Sequence, residues 1–257
     1  MNRLTKQIVY GFFYLACLGG VVFSFYGLFF KPVLSCTDGF KNRDEEAVDC
    51  GGSFCVSCEV KNLSPISIWP VRLLPGSDKD SATAVSEMRN PNPRYGLTNF
   101  SYLLQVYTTS TAPVYTEKVS LPMYPAELKY RVSVNIPVAY KSITRANLLA
   151  LPSDGAWRAV SEFAKPNLPI REVKSVPTDK YLVITGIVRN ENVFPLRQVV
   201  ANVFLEDSSG KLASASKTTI NDLLVSQERG FQVVVPLPES YSREGMKEPR
   251  IILDGTR

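Results

Sequence analysis

The longest apolar stretch of the chain is an uncharged run near its start, residues 8–30. A helix of 23 residues that rises about 1.5 Å per residue can cross a hydrocarbon core about 30 Å thick. A cleavable signal peptide is the alternative, but its apolar region normally ends after about 7–15 residues. Because this run continues through Phe25, Leu28 and Phe29, the pattern predicts an uncleaved transmembrane helix.

Further along the chain the hydrophobic pattern changes to strict alternation. Apolar residues occupy every second position of two stretches, which are Phe100, Tyr102, Leu104 and Val106 in the first and Val199, Ala201, Val203 and Leu205 in the second. A period of two indicates strands that bury one face. Several short strands separated by turn residues, with almost no helical periodicity, predict antiparallel β-sandwiches.

An internal repeat divides these strands into two copies. Residues 85–92 match residues 185–192, and both segments carry the sequence Arg-Asn-x-Asn at the end of a strand. Asparagine tolerates turn conformations and hydrogen-bonds its own backbone, so we interpret this motif as structural. The repeat predicts a mainly β fold with two tandem antiparallel sandwiches.

These patterns divide the chain into six predicted segments. They are a cytoplasmic tail (1–7), a transmembrane helix (8–30), a cysteine-rich membrane-proximal segment (31–60), a first sandwich (61–152), a linker (153–168) and a second sandwich (169–257). The linker is assigned because residues 152–177 carry four prolines and show little alternation.

The charges beside the apolar run predict its orientation. Arg3 and Lys6 precede the run, and the segment after it is rich in acidic residues. The positive-inside rule therefore places the amino terminus in the cytoplasm and the carboxy-terminal ectodomain in the extracellular or periplasmic space. The expected location is the cell membrane, which the chain crosses once.

Four cysteines follow the apolar run, at Cys36, Cys50, Cys55 and Cys58. In an oxidising compartment such a cluster indicates a disulfide framework, and four cysteines allow three pairings. A zinc site is the alternative, but only Cys55 and Cys58 have the spacing of a zinc knuckle. Two disulfides are therefore predicted, with their connectivity open.

Oxygen-bearing side chains lie between these cysteines. The candidate ligands for a calcium ion are Asp38, Asn42, Asp44, Glu46 and Asp49. Calcium prefers such hard oxygen donors, although the spacing does not match an EF-hand. Two hypotheses for these acidic residues therefore stay open: they bind a calcium ion, or they form a solvated acidic surface. No other cofactor is expected.

Small residues recur inside the predicted transmembrane helix. Ala16, Gly20, Ser24 and Gly27 are spaced by four, four and three residues, which places them on one helical face. A face of small residues lets two helices approach closely in lipid. Self-association into a homo-oligomer is therefore one hypothesis, and the ordinary frequency of glycine and serine in such helices is the other.

Two segments resemble known families. Residues 184–190 and 204–207, with the later Phe231-Gln232-Val233, are similar to the FxLYD and late-embryogenesis-abundant types of immunoglobulin-like β-sandwich. Residues 36–58 resemble the CxDGxxNxDExxVDCGGxCxxC motif of bacterial surface proteins, with Arg43 and Ala47 in place of glycines and Phe54 as an added spacer. The combination is similar to uncharacterised single-pass bacterial membrane proteins. These resemblances imply immunoglobulin-like sandwiches behind a surface motif, and they imply no activity.

Composition excludes several classes of function. The chain contains no histidine, which removes Ser-His-Asp and Cys-His catalysis, and it carries no nucleotide-binding or nucleophile-elbow motif. Its formal net charge of +5 is dispersed, which argues against a nucleic-acid partner. We therefore expect a non-enzymatic membrane protein that binds or assembles with protein partners at the cell envelope, or else a passive spacer without a specific ligand.

Overall fold

The computed structural model describes residues 3–29, 35–152, 155–237 and 247–257. Its described part is mainly β, with an apolar helix near the amino terminus and two disulfides. The predicted fold class is thereby confirmed at this level. The chain divides into two compact units, Met1–Leu63 and Ser64–Arg257.

Helix α1 (Arg3–Phe29) contains the predicted apolar run, except for Phe30, which lies outside the described residues. Its stretch Thr5–Gly27 is long and apolar enough to cross a membrane, and none of it is buried inside the protein. The same first unit contains the short helix α2 (Cys58–Lys61). The Ser57 side chain caps α2 by accepting a hydrogen bond from the backbone N–H of Val60 at 3.3 Å.

Two sheets form the first sandwich. Its strands are β1 (Ser67–Ile68), β2 (Arg72–Pro75), β3 (Ala82–Arg89), β4 (Tyr95–Tyr107), β5 (Tyr115–Met123), β6 (Leu128–Ile136), β7 (Arg145–Ala150) and β8 (Trp157–Ala159), with a 3-10 turn at Tyr140–Ser142 before β7. Sheet I joins β1, β2 and β6 to the central strand β3, and sheet II joins β5, β7 and β8 to β4. All of these pairs are antiparallel.

Two further sheets form the second sandwich. Its strands are β9 (Ile170–Pro177), β10 (Tyr181–Arg189), β11 (Leu196–Glu206), β12 (Leu212–Leu223), β13 (Glu228–Pro236) and β14 (Arg250–Thr256). Sheet III has the order β13-β10-β9 and sheet IV has the order β12-β11-β14, again antiparallel. At the β9 edge, Glu172 has a positive φ of 52° beside an irregularity in the register with β10. Such a bulge discourages pairing of the edge with another strand.

Each sandwich encloses its own hydrophobic core. The alternating residues predicted to face inward do so: Phe100, Tyr102, Leu104 and Val106 in the first core and Val199, Ala201, Val203 and Leu205 in the second. Both cores close because every second side chain of a central strand meets the facing sheet.

A third cluster of buried apolar residues joins the two sandwiches through the outer faces of sheets I and IV. Leu74, Val85 and Val132 of sheet I pack on Phe204, Leu212 and Ala215 of sheet IV. Sheets I and IV are therefore covered on both faces, which explains the nearly continuous burial of β3 and β11. The two sandwiches belong to one compact unit.

The predicted linker contributes to the first sandwich. Residues 153–168 include β8, which pairs with the start of β4, although residues 153–154 lie outside the described part. Trp157 packs against the first core, because a large apolar side chain gains more by burial there than in an exposed connection. This stretch therefore does not form a free linker over its whole length.

The chain enters both sandwiches at the same end of the unit, which we call the entry end. The last strand returns there: the Tyr124 hydroxyl donates to the carbonyl of Gly255 at 2.9 Å, and the Arg257 guanidinium donates to the carbonyls of Glu162 and Ala164. The entry end comprises Ser64 and the segments 89–95, 124–128, 157–171, 187–198, 222–229 and 256–257.

Candidate functional site

The four predicted cysteines form two disulfides, which settles the connectivity that the sequence leaves open. Cys36 pairs with Cys55 and Cys50 pairs with Cys58. The loops that they close overlap, so the segment is held together at two points although it contains little regular secondary structure. Cys17 of α1 is a free cysteine.

Acidic side chains organise the turns between these disulfides. Asp49 accepts a hydrogen bond from the backbone N–H of Gly39 at 3.0 Å and lies 3.5 Å from the Lys61 ammonium. Burial opposes ionisation of Asp49, but these two partners together hold its pKa below the ordinary value. Asp44 accepts from the backbone N–H of Ser53 at 2.8 Å, and hydrogen bonds from Ser53 lower its pKa as well.

The candidate calcium ligands make separate contacts with nearby residues. Asp38 accepts from the backbone N–H of Phe40 and from the side chain of Asn42, both at 2.9 Å. The side chain of Glu46 lies against Gly51, where an added Cβ would come within 2.6 Å of it. Among the described residues, no group of three or more histidine, cysteine or acidic residues is placed to hold a metal ion. A calcium role for Asp38, Asn42, Asp44, Glu46 and Asp49 stays a prediction.

A cleft of about 260 Å³ opens beside the disulfide Cys36–Cys55. Its walls include Arg43 and Phe54, whose guanidinium and ring lie 4.9 Å apart in a cation–π contact. Phe54 is 74% exposed. Asn42, Asp44 and Glu45 also line the cleft, so its wall carries one cation and two carboxylates beside the Phe54 ring.

The small-residue face of α1 is uncovered in the structure. Ala16, Gly20 and Ser24 are exposed and Gly27 is intermediate, and a Cβ added at either glycine would meet nothing within 4 Å. The self-association hypothesis for this face stays a prediction.

The first Arg-Asn-x-Asn motif forms a buried clasp at the entry end. The side-chain amide of Asn90 donates to the carbonyls of Tyr95 at 2.7 Å and Tyr124 at 3.0 Å, and its oxygen accepts from the backbone N–H of Asn92. Asn92 in turn exchanges two hydrogen bonds with the backbone of Ser64. One asparagine pair therefore ties the entering chain to the ends of β4 and β5.

The second copy repeats this clasp nearly contact for contact. The amide of Asn190 donates to the carbonyls of Phe194 at 3.0 Å and Leu223 at 3.1 Å, and its oxygen accepts from the backbone N–H of Asn192. Asn192 exchanges two hydrogen bonds with the backbone of Asn167, as Asn92 does with Ser64. The motif is therefore structural, and its hydrogen bonds reach beyond a local turn to the segment that enters each sandwich.

Glu127 and Gln227 are equivalent parts of the two clasps that the sequence pattern did not reveal. Glu127 accepts from the backbone N–H of Tyr124 at 3.0 Å, and Gln227 accepts from that of Leu224 at 2.9 Å. The preceding residues, Ala126 and Ser226, both have positive φ, at 53° and 60°. A search for polar residues at the same offset of the repeat would have found this pair.

A buried ionic cluster grows from Glu127 into the junction of the sandwiches. The Glu127 carboxylate lies 3.2 Å from the Lys129 ammonium and 2.9 Å from that of Lys165. Lys129 also lies 3.4 Å from Asp254 of β14, which accepts a hydrogen bond from Asn202 at 3.1 Å. The side chains of Glu127 and Lys129 are only 1% and 3% exposed. Two carboxylates and two ammonium groups thus balance each other: Glu127 and Lys129 are buried, and Lys165 reaches Glu127 from the surface, with its side chain 44% exposed.

Burial shifts the proton affinity of groups at this junction. It raises the pKa of Asp254, against the opposing effect of the Lys129 ammonium. Elsewhere between the sandwiches, burial lowers the pKa of Lys217 to about 8, and the charge of Arg131 lowers it further. These perturbed groups lie where sheets I and IV pack on each other, so we interpret them as structural.

Loss of the disulfides is expected to open the cysteine segment. Replacing Cys36 and Cys55 together by serine should destabilise it by about 3 kcal/mol, since a closed loop of this size limits the unfolded chain. Hydrogen exchange of the Gly39 and Ser53 amides in the full chain should then accelerate by about a hundredfold. Cys17→Ser is the control and should change neither rate. Unchanged exchange in the double variant would contradict this role.

Comparison of the chain with protein-family models and with curated proteins finds no match.

Proposed function

We propose that the chain is a non-catalytic protein that is anchored in a membrane by α1 and that binds or assembles with partners outside the cytoplasm. The observation that carries the proposal is the uncovered apolar surface of α1: over Thr5–Gly27 no part of the helix is buried in the protein. An apolar helix of this length is stable when lipid surrounds it, because its backbone hydrogen bonds are satisfied internally.

The disulfides support the proposed orientation. Cys36–Cys55 and Cys50–Cys58 follow the helix closely in the sequence, and structural disulfides persist in oxidising compartments. Arg3 and Lys6 at the other end of the helix favour the cytoplasmic side. In this orientation the disulfide segment and the sandwich pair lie outside the cytoplasmic membrane.

The sandwich pair supports binding or assembly because it is a rigid display unit. Its two sandwiches share a buried apolar cluster and a buried ionic cluster, so loops of both sandwiches keep fixed positions relative to one another. Functions that rely on loops carried by rigid β scaffolds are common. The chain has no histidine, and the described residues show no constellation of catalytic groups.

Thiol labelling in cells tests the topology. In a Cys17→Ser background, Asn2→Cys and Ala112→Cys place single free thiols before the membrane-crossing stretch and on an exposed loop of the first sandwich. We expect a membrane-impermeant maleimide to label Ala112→Cys in cells whose outer envelope is permeable, and to label Asn2→Cys only after lysis. The reverse pattern would disprove the orientation, and release of the chain by alkaline carbonate would disprove the anchor. A photocrosslinker at Ala112 should yield discrete adducts with envelope proteins; adducts with none would favour a passive spacer.

A further inference from the structure

The cleft beside the disulfide Cys36–Cys55 contains a buried carboxylate that is only partly satisfied. Glu45 lines the cleft and is 6% exposed. Its Oε2 accepts hydrogen bonds from the backbone N–H groups of Asn42 at 3.1 Å and Asp49 at 3.2 Å. Its Oε1 lies 3.3 Å from Sγ of Cys55, a sulfur that carries no hydrogen because it belongs to the disulfide. Among the contacts of the described residues, this oxygen therefore has no N–H or O–H donor.

An oxygen of this kind favours a ligand that donates a hydrogen bond. Removing a carboxylate from water is costly unless its oxygens find donors within the protein or on a ligand. The Oε1 atom of Glu45 lies beside Cys55, which also lines the cleft, so a ligand in the cleft can reach it. A bound N–H group would satisfy this acceptor.

The charges on the wall of the cleft indicate the sign of the ligand. Among the described wall residues, Arg43 is the cation, and Asp44 and Glu45 are the two carboxylates. Hydrogen bonds from Ser53 lower the pKa of Asp44, and the nearby charge of Arg43 lowers it further, so Arg43 and Asp44 compensate each other. Glu45 keeps one negative charge that a monovalent cation would balance.

A metal ion suits this wall less well than an organic cation. Calcium takes about 6–8 oxygen ligands. The described residues include no group of three or more histidine, cysteine or acidic residues that is placed to hold a metal ion. The cleft has a volume of about 260 Å³, which leaves room for a short hydrocarbon chain beside a cationic group.

Phe54 supplies an apolar surface for such a chain. Its side chain is 74% exposed, and the Arg43 guanidinium lies 4.9 Å from the centre of its ring. Arg43 has a φ of 50°, a left-handed conformation that is uncommon for residues other than glycine, asparagine and aspartate. Such backbone conformations concentrate at ligand sites. An alkyl chain that covers the Phe54 ring would remove apolar surface from water.

We propose that the cleft binds a primary alkylammonium group, with its ammonium donating to Oε1 of Glu45 and its alkyl chain against the Phe54 ring. A small free amine and the side chain of a lysine on a protein partner share this chemistry. The inference names a ligand that the function proposed above leaves open. It does not depend on the anchor, because all of the wall residues belong to the disulfide segment.

Saturation-transfer NMR of the full chain in detergent tests the site with n-butylammonium chloride as the probe. We expect a dissociation constant of about 1 mM, an affinity that a ligand of so few atoms can reach. The n-butyltrimethylammonium ion keeps the charge but has no N–H group, so it should bind about tenfold more weakly. Equal binding of the two ions would overturn the hydrogen bond to Glu45 and with it the proposal.

Matched variants connect the binding to the cleft. Glu45→Gln removes the charge and keeps the shape, and Phe54→Ala removes the exposed ring; each should weaken n-butylammonium binding about tenfold. Phe40→Ala is the control and should bind normally, because Phe40 is 73% exposed in the same segment and is not a wall residue. Hydrogen exchange of the Gly39 amide shows whether each variant keeps its fold. Undiminished binding by either cleft variant would overturn the proposal.

Competition experiments separate the sources of the ammonium group from a metal ion. Displacement of n-butylammonium by Nα-acetyl-lysine N-methylamide would support the site and extend it to lysine side chains of a protein, whereas displacement by free amines alone would support a small amine. Displacement by calcium chloride below the concentration of the amine, but not by sodium chloride of equal ionic strength, would assign the cleft to a metal ion and overturn the proposal. The anchor is tested separately by carbonate extraction.

Discussion

Replacing Lys129 by methionine is expected to destabilise the sandwich pair by about 3–5 kcal/mol, because it leaves two buried carboxylates with one ammonium partner. Lys129 lies between Glu127 at 3.2 Å and Asp254 at 3.4 Å, and its side chain is 3% exposed. Lys165 would remain beside Glu127, whereas Asp254 would lose its cation. Chemical unfolding of the full chain in detergent, followed by tryptophan fluorescence, measures the loss.

Two further variants make this expectation specific to charge. Adding Asp254→Asn to Lys129→Met restores the charge balance and should recover at least part of the lost stability. Arg72→Met breaks the more exposed ion pair with Glu87, at 2.9 Å, and should cost no more than about 1 kcal/mol. A Lys129→Met variant as stable as the parent would show that the ionic cluster contributes nothing that packing cannot replace.

Replacing Asn190 by alanine is expected to destabilise the second sandwich by about 3 kcal/mol, since several buried backbone groups lose their hydrogen-bond partner at once. The Asn190 amide nitrogen donates to the carbonyls of Phe194, Leu223 and Leu224, and its oxygen accepts from the backbone N–H of Asn192. Chemical unfolding measures the effect, and hydrogen exchange should locate the loosened amides at residues 191–195 and 223–227.

The repeat supplies an internal control for this variant. Asn90→Ala removes the same contacts in the first sandwich, so its cost should be similar and its loosened amides should lie near Asn92 and Tyr124 instead. Asn221→Ala changes an exposed asparagine of β12 and should alter stability by no more than about 0.5 kcal/mol. If the Asn190 and Asn221 variants were equally stable, the clasp would have no energetic role.

The strands and their inward faces were predictable from local pattern. Apolar residues occupy every second position in β4 and β11, among them Tyr102 and Leu104, and Val203 and Leu205. Such a period of two indicates a strand that buries one of its faces. The disulfide cysteines were also predictable, because the predicted oxidising compartment favours disulfides and the cysteine spacing does not fit a zinc site. Their pairing was not, since three connectivities satisfy the same spacing.

The packing of one sandwich on the other was not predicted, because it depends on residues whose local pattern is ambiguous. Val200 and Phe204 of β11 face away from the second core and are nevertheless buried. The continuous apolar run of β11 is a signal of burial on both faces, but a period-two search ignores it. The ionic cluster is harder still, because Lys129 meets Asp254, a residue far away in the sequence, only after both sandwiches have folded.

The shared entry end determines how the unit responds to mechanical load. Ser64 and Arg257 lie at the same end, so tension applied between them would separate the strands successively from that end, as a zipper opens. Tension between Ser64 and the opposite loops runs along the strands, and many interstrand hydrogen bonds resist it together. The proposed arrangement, with an anchor before Ser64 and a partner at the far loops, would therefore load the unit in its stronger direction.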